Sequence, residues 1–85
     1  MKKISDAEGR GNVIRVIVKY RGAYYEQLEI IKRLSRSRRE YEKLGNKERV
    51  EAYDLDLAKR KQVADFLISE IRYLRDGLER MDEVA

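Results

Sequence analysis

The chain has 85 residues, enough for one domain at most, and 42% of them are hydrophobic while another 42% are charged, a balance typical of long helices and coiled coils. It contains no Pro, Cys, His or Trp, which excludes disulfides, thiol chemistry and the commonest bases and transition-metal ligands of enzymes. The net charge of +4 is divided unevenly, with +7 on residues 1–50 and −3 on residues 51–85. The two halves therefore attract each other, and the surplus positive field belongs to the first half.

The first eleven residues contain little apolar material and two glycines, so we predict a flexible N-terminal segment over 1–11. Asn12 then precedes a dense apolar series, as a helix N-cap does. A seven-residue repeat follows, in which Leu28 comes one step late and Arg38 is polar. Its positions are Val13, Ile17, Tyr20, Tyr24, Leu28, Ile31, Leu34, Arg38 and Tyr41. This spacing predicts a helix over 12–44.

Residues 13–20 also carry the signals of a strand. They are rich in β-branched residues, lie between Gly11 and Gly22, and alternate apolar with basic side chains in part. A strand followed by two helices would be similar to ribbon-helix-helix DNA-binding dimers, in which a β-ribbon enters the major groove. The helix after Gly22 is too long for that fold, and Ile17 is apolar on the face that should be polar. Helix is therefore the favoured prediction, with Gly22 as its weak point.

The segment 44–46 is the clearest break in the chain. Gly45 suits the left-handed position that ends a helix, and Asn46 can cap the next one. The second helix is predicted over 47–83, with repeat positions Val50, Tyr53, Leu57, Arg60, Ala64, Leu67, Ile71, Leu74, Leu78 and Met81. Because only residues 45–46 form the turn, the helices must fold back antiparallel. We predict an all-α, coiled-coil-like helical hairpin that forms a single domain over 12–84.

Further apolar residues lie off these two repeats, and a hairpin of two helices would leave them in water. They are Ile14, Val18, Tyr25, Val63, Phe66 and Ile68. The simplest way to cover them is self-association, so we predict a homodimer that forms a four-helix bundle. We expect Leu67, Ile71, Leu74 and Leu78, the densest part of the second repeat, to be fully buried.

No pattern in the sequence indicates catalysis. The acidic residues lack EF-hand spacing, the Gly-Arg-Gly at 9–11 lacks the context of a phosphate loop, and a hairpin offers no concave apolar pocket. We expect no enzymatic activity, cofactor, metal site or small-molecule substrate. Apolar runs such as 16–18 are far shorter than the ~20 residues that span a bilayer, and the basic start lacks a signal-peptide core. We therefore expect a cytoplasmic protein with no membrane association.

The segment 32–43, next to the predicted turn, is the most basic part of the chain. Its basic residues are Lys32, Arg33, Arg36, Arg38, Arg39 and Lys43. Such a cluster can neutralise phosphates, with Ser35 and Ser37 as additional donors. It can equally be a solvated helix face with the pairs Arg36–Glu40 and Arg38–Glu42. In a third interpretation Arg38 packs its stem in the seam and pairs with an acidic residue of the second helix.

Six of the seven aromatic residues are tyrosines. Tyr24 and Tyr25 are neighbours and cannot both point inward, so one of them belongs at a boundary. We assign Tyr20, Tyr24 and Tyr53 to the core. Tyr25, Tyr41 and Tyr73 are candidates for a partner surface, because Tyr and Arg are favoured at interface hot spots.

These features favour a non-enzymatic protein–protein interaction module, a small dimeric adaptor, inhibitor or regulator that presents helix faces to a macromolecule. The expected partner is first of all another protein. The alternative is a basic nucleic-acid-binding protein, such as a transcriptional regulator, that uses segment 32–43.

Overall fold

The chain forms two long antiparallel helices joined by a tight turn. The computed structural model describes the backbone of residues 6–84 and the side chains of residues 9–81. Helix α1 spans Asp6–Lys43 and helix α2 spans Lys47–Val84, each with 38 residues. The hairpin measures 63 × 20 × 14 Å, and residues 6–84 contain no strand. The predicted all-α helical hairpin is confirmed.

Helix α1 begins earlier than its capping pattern suggests. It starts at Asp6 instead of Asn12, so that residues 6–11 are helical, whereas residues 1–5 of the predicted flexible segment lie outside the described residues. The strand alternative for residues 13–20 is wrong, because α1 continues through them. Each glycine in this region costs about 1 kcal/mol relative to Ala but does not end a helix, and the chain has no Pro to do so.

The turn is a Schellman motif built on Gly45. The Gly45 amide donates to the carbonyl of Glu42 at 3.1 Å and the Asn46 amide donates to that of Tyr41 at 3.0 Å, the two bonds that define this motif. Gly45 has a φ of +72°. Asn46 then starts α2, because its side-chain oxygen accepts a hydrogen bond from the Arg49 amide at 3.1 Å. Both predicted roles, the helix stop at Gly45 and the cap at Asn46, are confirmed.

We predict that Gly45→Ala destabilises the hairpin by about 1 kcal/mol, because a side chain disfavours the left-handed backbone. Gly22→Ala is the matched control. Apart from adjacent residues and the local helix backbone, nothing lies within 4 Å of the added methyl at either position, but Gly22 is helical, so Ala should stabilise it by up to ~1 kcal/mol. Urea denaturation measures the free energy of unfolding of both variants. If both substitutions changed it by the same amount in the same direction, the Schellman turn would be contradicted.

The two helices meet along a regular seam. Its positions alternate between three and four residues apart, the 3.5-residue spacing of a left-handed coiled coil. In α1 the seam holds Val13, Ile17, Tyr20, Tyr24, Gln27, Ile31, Leu34, Arg38 and Tyr41, all buried or half-buried. In α2 it holds the ten residues of the predicted repeat, of which only Met81 is exposed. The prediction of Leu28 in this row is wrong: Gln27 occupies the seam, and Leu28 lies exposed beside it.

The core of the hairpin is thin. The buried apolar residues are Ile17, Leu57, Ala64, Leu67 and Ile71, and no side chain among the described residues is less than 2% exposed. Leu67 and Ile71 are buried as expected, but Leu74 and Leu78 are only half-buried, because a single neighbouring helix cannot enclose a large side chain on all sides.

We predict that Ile71→Ala costs roughly 2–5 kcal/mol of unfolding free energy, through lost burial and the cavity left behind. Ile71 is 3% exposed, the most enclosed of the buried residues. Leu55→Ala is the control, because Leu55 is 68% exposed and its loss should change stability by less than ~0.5 kcal/mol. A cost for Ile71→Ala as small as that of the control would place Ile71 outside the core.

Candidate interaction surfaces

Arg38, at a polar position of the seam, is held by two carboxylates. Its Nε donates to Asp54 of α2, and its Nη1 donates to Glu42 at 2.9 Å. The hydrogen bond and the charge of Asp54, assisted by Glu42, raise the pKa of Arg38 above its ordinary value. Arg38 therefore joins the two helices, as the seam interpretation proposed. Of the two expected i,i+4 pairs, the structure contains Arg38–Glu42, while the described residues show no Arg36–Glu40 pair.

A second polar contact crosses the seam near the middle of the hairpin. Nη1 of Arg60 donates to Oε1 of Gln27 in a long, partly buried hydrogen bond of 3.4 Å. Both residues occupy positions where the repeat calls for an apolar side chain. The polar interruptions of the two helices therefore find partners on the opposite helix, and none of the buried side-chain polar atoms in the described region lacks a hydrogen bond.

Four of the remaining basic residues form a row on the outer side of α1, which we call the basic stripe. They are Lys32, Arg36, Arg39 and Lys43, all exposed and spaced by four, three and four residues, so that they share one helix face. Lys32 is 4.0 Å from Glu29 in an exposed pair. Arg33 points away from this row, into a depression beside Tyr25 and Ile30.

Three residues of the basic stripe line one shallow groove. Lys32, Arg36 and Arg39 surround it together with Ser35, over a floor formed by Leu28 and Ile31. Ser37, the other predicted donor, lies on the opposite flank of α1 by its heptad position and is half-buried. The groove thus combines basic side chains with one hydroxyl.

The three tyrosines assigned to a partner surface have different environments. Tyr41 stacks on Tyr53 with ring centroids 5.6 Å apart, and the Arg49 guanidinium lies 5.6 Å from the Tyr41 ring, so Tyr41 packs within the hairpin. Tyr25 is 55% exposed and touches only Tyr24 among the aromatic rings, at 5.8 Å. Tyr73 is 74% exposed. Tyr25 and Tyr73 are therefore available to a partner.

Exposed apolar residues lie on both sides of the seam. In an antiparallel hairpin, residues at one heptad position next to the seam lie on the same side of the hairpin in both helices. One side, the Phe66 flank, contains the exposed Val16, Val63, Phe66 and Tyr73 together with the half-buried Ala23 and Ile30. The other side, the Tyr25 flank, has Ile14, Val18, Tyr25 and Leu28 from α1, with the half-buried Ile68 from α2. Among the described residues, only the Phe66 flank has exposed large apolar residues on both helices, namely Val16 on α1 and Val63, Phe66 and Tyr73 on α2.

The sequence interpretation did not assign the Phe66 flank as a site. Val16 and Ile30 were not recognised as part of a surface, and Phe66 was counted only among residues to be covered. Once Gln27 is placed in the seam, the heptad positions of all flank residues follow from the spacing alone. An uninterrupted count of three and four residues would therefore have located this flank.

Among residues 9–81, whose side chains the structure describes, no cluster of acidic residues could hold a metal ion. In the same range, neither helix has a stretch apolar enough to cross a bilayer.

Comparisons with known proteins add no further information. No protein-family model, curated protein or solved structure matches this chain. The candidate surfaces therefore rest on the geometry described above.

We predict that Arg38→Leu maintains or raises the thermal midpoint, whereas Arg38→Ala lowers it. Leu continues the apolar seam, and Asp54 and Glu42 remain hydrated because both are exposed; Ala also loses the packing of the side-chain stem. Thermal unfolding followed by circular dichroism measures both. A large loss of stability in Arg38→Leu would mean that the ion pairs stabilise the fold more than apolar packing does.

Proposed function

We propose that the protein is a non-enzymatic interaction module that dimerises through the Phe66 flank and presents its other helix faces to a partner protein in the cytoplasm. The observation that carries the proposal is one side of a thin-cored hairpin on which α2 exposes Val63, Phe66 and Tyr73 and α1 adds the exposed Val16. A surface of this kind is characteristic of protein–protein contact sites.

A second copy of the chain is the occupant that fits this flank best. A side of the hairpin 63 Å long and 14–20 Å wide spans roughly 900–1,300 Å², compared with the ~800 Å² that each partner contributes to a standard interface. Phe66, Val63, Ile30 and Ala23 lie near the middle of the helices. A two-fold axis at this point would bring the same residues together from both copies, as an isologous interface requires.

Charge favours one arrangement of the two copies. The first half of the chain is basic and the second half is acidic. If α1 of one copy packs against α2 of the other, a helix of net positive charge meets one of net negative charge, whereas α1 against α1 would bring two net positive helices together. The proposed bundle therefore alternates α1 and α2 around its axis.

The Tyr25 flank remains exposed in such a dimer and is the proposed site for a different protein. Tyr25, which is exposed beside Ile14, Val18 and Leu28, supplies the aromatic anchor that hot spots favour. The α2 residues beside this flank are mostly charged, which gives the site a polar rim. An adaptor or regulator that docks through one helix would use a surface of this composition.

Phe66→Glu tests the dimer. A charge at the centre of an apolar interface is left without a partner, so this variant is expected to sediment as a monomer and to unfold at a temperature independent of protein concentration. The wild type should sediment as a dimer, and its thermal midpoint should rise with concentration.

Leu55→Glu is the matched control, because Leu55 is also a large exposed apolar residue but lies on the outer face of α2. It should remain dimeric. A wild-type protein that is monomeric at high concentration would refute the proposal, and a dimer unaffected by Phe66→Glu would move the interface to another face.

A further inference from the structure

We infer that the basic stripe of α1 is a nucleic-acid-binding surface that holds the phosphate backbone of a DNA duplex without reading its sequence. This inference goes beyond the proposed dimer and does not depend on it. It rests on the geometry of four residues, Lys32, Arg36, Arg39 and Lys43.

The four side chains form one continuous positive row. Their spacing of four, three and four residues keeps them on a single face, and the rise of the helix places the first and last about 16 Å apart. A DNA duplex carries one phosphate per ~1.7 Å of axis, so a row of this length lies beside several phosphates at once. All four residues are exposed, so contact with phosphate requires no rearrangement of the hairpin.

The groove beside the basic stripe places three basic side chains and a hydroxyl around Leu28 and Ile31. Ser35 lies in it together with Lys32, Arg36 and Arg39, and a hydroxyl is a common additional donor to phosphate oxygens. The groove residues include no aromatic side chain or Met, which are the usual anchors at the centre of a protein interface. The groove therefore offers three positive charges and a hydroxyl but no aromatic anchor.

The structure also separates the basic stripe from Arg38. Arg38 is occupied by Asp54 and Glu42 and is therefore not counted among the phosphate contacts. The stripe contains no Asn or Gln, the residues that pair with adenine, and although its Arg and Lys could also contact guanine, the inference assigns all four to phosphate oxygens. Binding should have similar affinity for duplexes of unrelated sequence.

The basic stripe lies on the outer face of α1, away from the Phe66 flank. By heptad position the stripe adjoins the Tyr25 flank, and the groove that it lines includes Leu28 of that flank. Dimerisation through Phe66 would therefore leave both stripes of the dimer exposed.

Fluorescence anisotropy with a labelled 20-base-pair duplex, titrated between 50 and 200 mM NaCl, tests the inference. Four phosphate contacts predict a slope of log K against log salt of about −3.6 per protomer, equivalent to roughly a 100-fold loss of affinity over this range. The variant Lys32→Gln/Arg36→Gln/Arg39→Gln/Lys43→Gln should lose measurable binding at 100 mM NaCl. The conservative variant Arg36→Lys/Arg39→Lys should retain the wild-type slope, because each charge remains.

A matched control removes four positive charges from α2. Lys59, Lys61, Arg72 and Arg75 are exposed, and their replacement with Gln gives the same net charge as the stripe variant. It should bind with a slope close to that of the wild type. Equal losses in the two variants would show an effect of net charge alone and would overturn the inference, as would unchanged binding by the stripe variant.

Two further measurements distinguish duplex binding from dimerisation and from attraction to a membrane surface. Phe66→Glu, if monomeric, still carries an intact stripe and should bind duplex with the slope expected for one protomer, so a failed dimer prediction leaves this test valid. Vesicles containing anionic phospholipid are the second probe. Binding to vesicles but not to duplex would overturn the inference in favour of a membrane surface. For every variant, circular dichroism must first show the same helicity as the wild type.

Discussion

The structure depends on a single seam, in which each helix buries one row of side chains against the other. A 3.5-residue repeat keeps that row facing its partner over the whole length of both helices. It also limits each helix to one neighbour, and for this reason the hairpin has five buried apolar residues and none that is fully enclosed among those described. Long helices need tertiary packing for most of their stability. A second neighbouring helix would supply the apolar burial that this seam alone does not provide.

The polar contacts across the seam set how the helices align. Arg38 pairs with Asp54 near the turn, and Gln27 accepts a hydrogen bond from Arg60 farther along. Sliding one helix by a heptad would break both contacts, because Arg38 would then lie near Lys47 or Lys61 instead of Asp54, and Arg60 would face Tyr20 or Leu34 instead of Gln27. Asp54 is exposed and the hydrogen bond of Arg60 is long, so both contacts should add little to the free energy of unfolding. Their main role is to fix the alignment of the helices, as polar seam residues do in coiled coils.

The sequence was informative where local chemistry determines structure. The glycine and asparagine at 45–46 defined the turn, and the repeat of α2 matched the seam at every position. The sequence was misleading at position 27, where the seam contains Gln27 and not the apolar Leu28. Counting apolar residues alone does not take into account that a polar residue in the seam can hydrogen-bond to the opposite helix. The helix start at Asp6 was missed since two glycines resemble a break. The partners of exposed flanks could not be predicted, because they lie in other molecules.

The arrangement of surfaces around the seam also bears on how binding functions could coexist. Apolar residues from both helices occupy one side, whereas the basic stripe lies on the outer face of α1 towards the other side. A dimer formed through the Phe66 flank would then display two basic stripes on one rigid body. When one stripe is bound, the other is held near the same duplex at a high effective concentration, which increases overall affinity only if the spacing allows both to bind at once. Assembly and phosphate binding would therefore be coupled by geometry, with no conformational change needed in either helix.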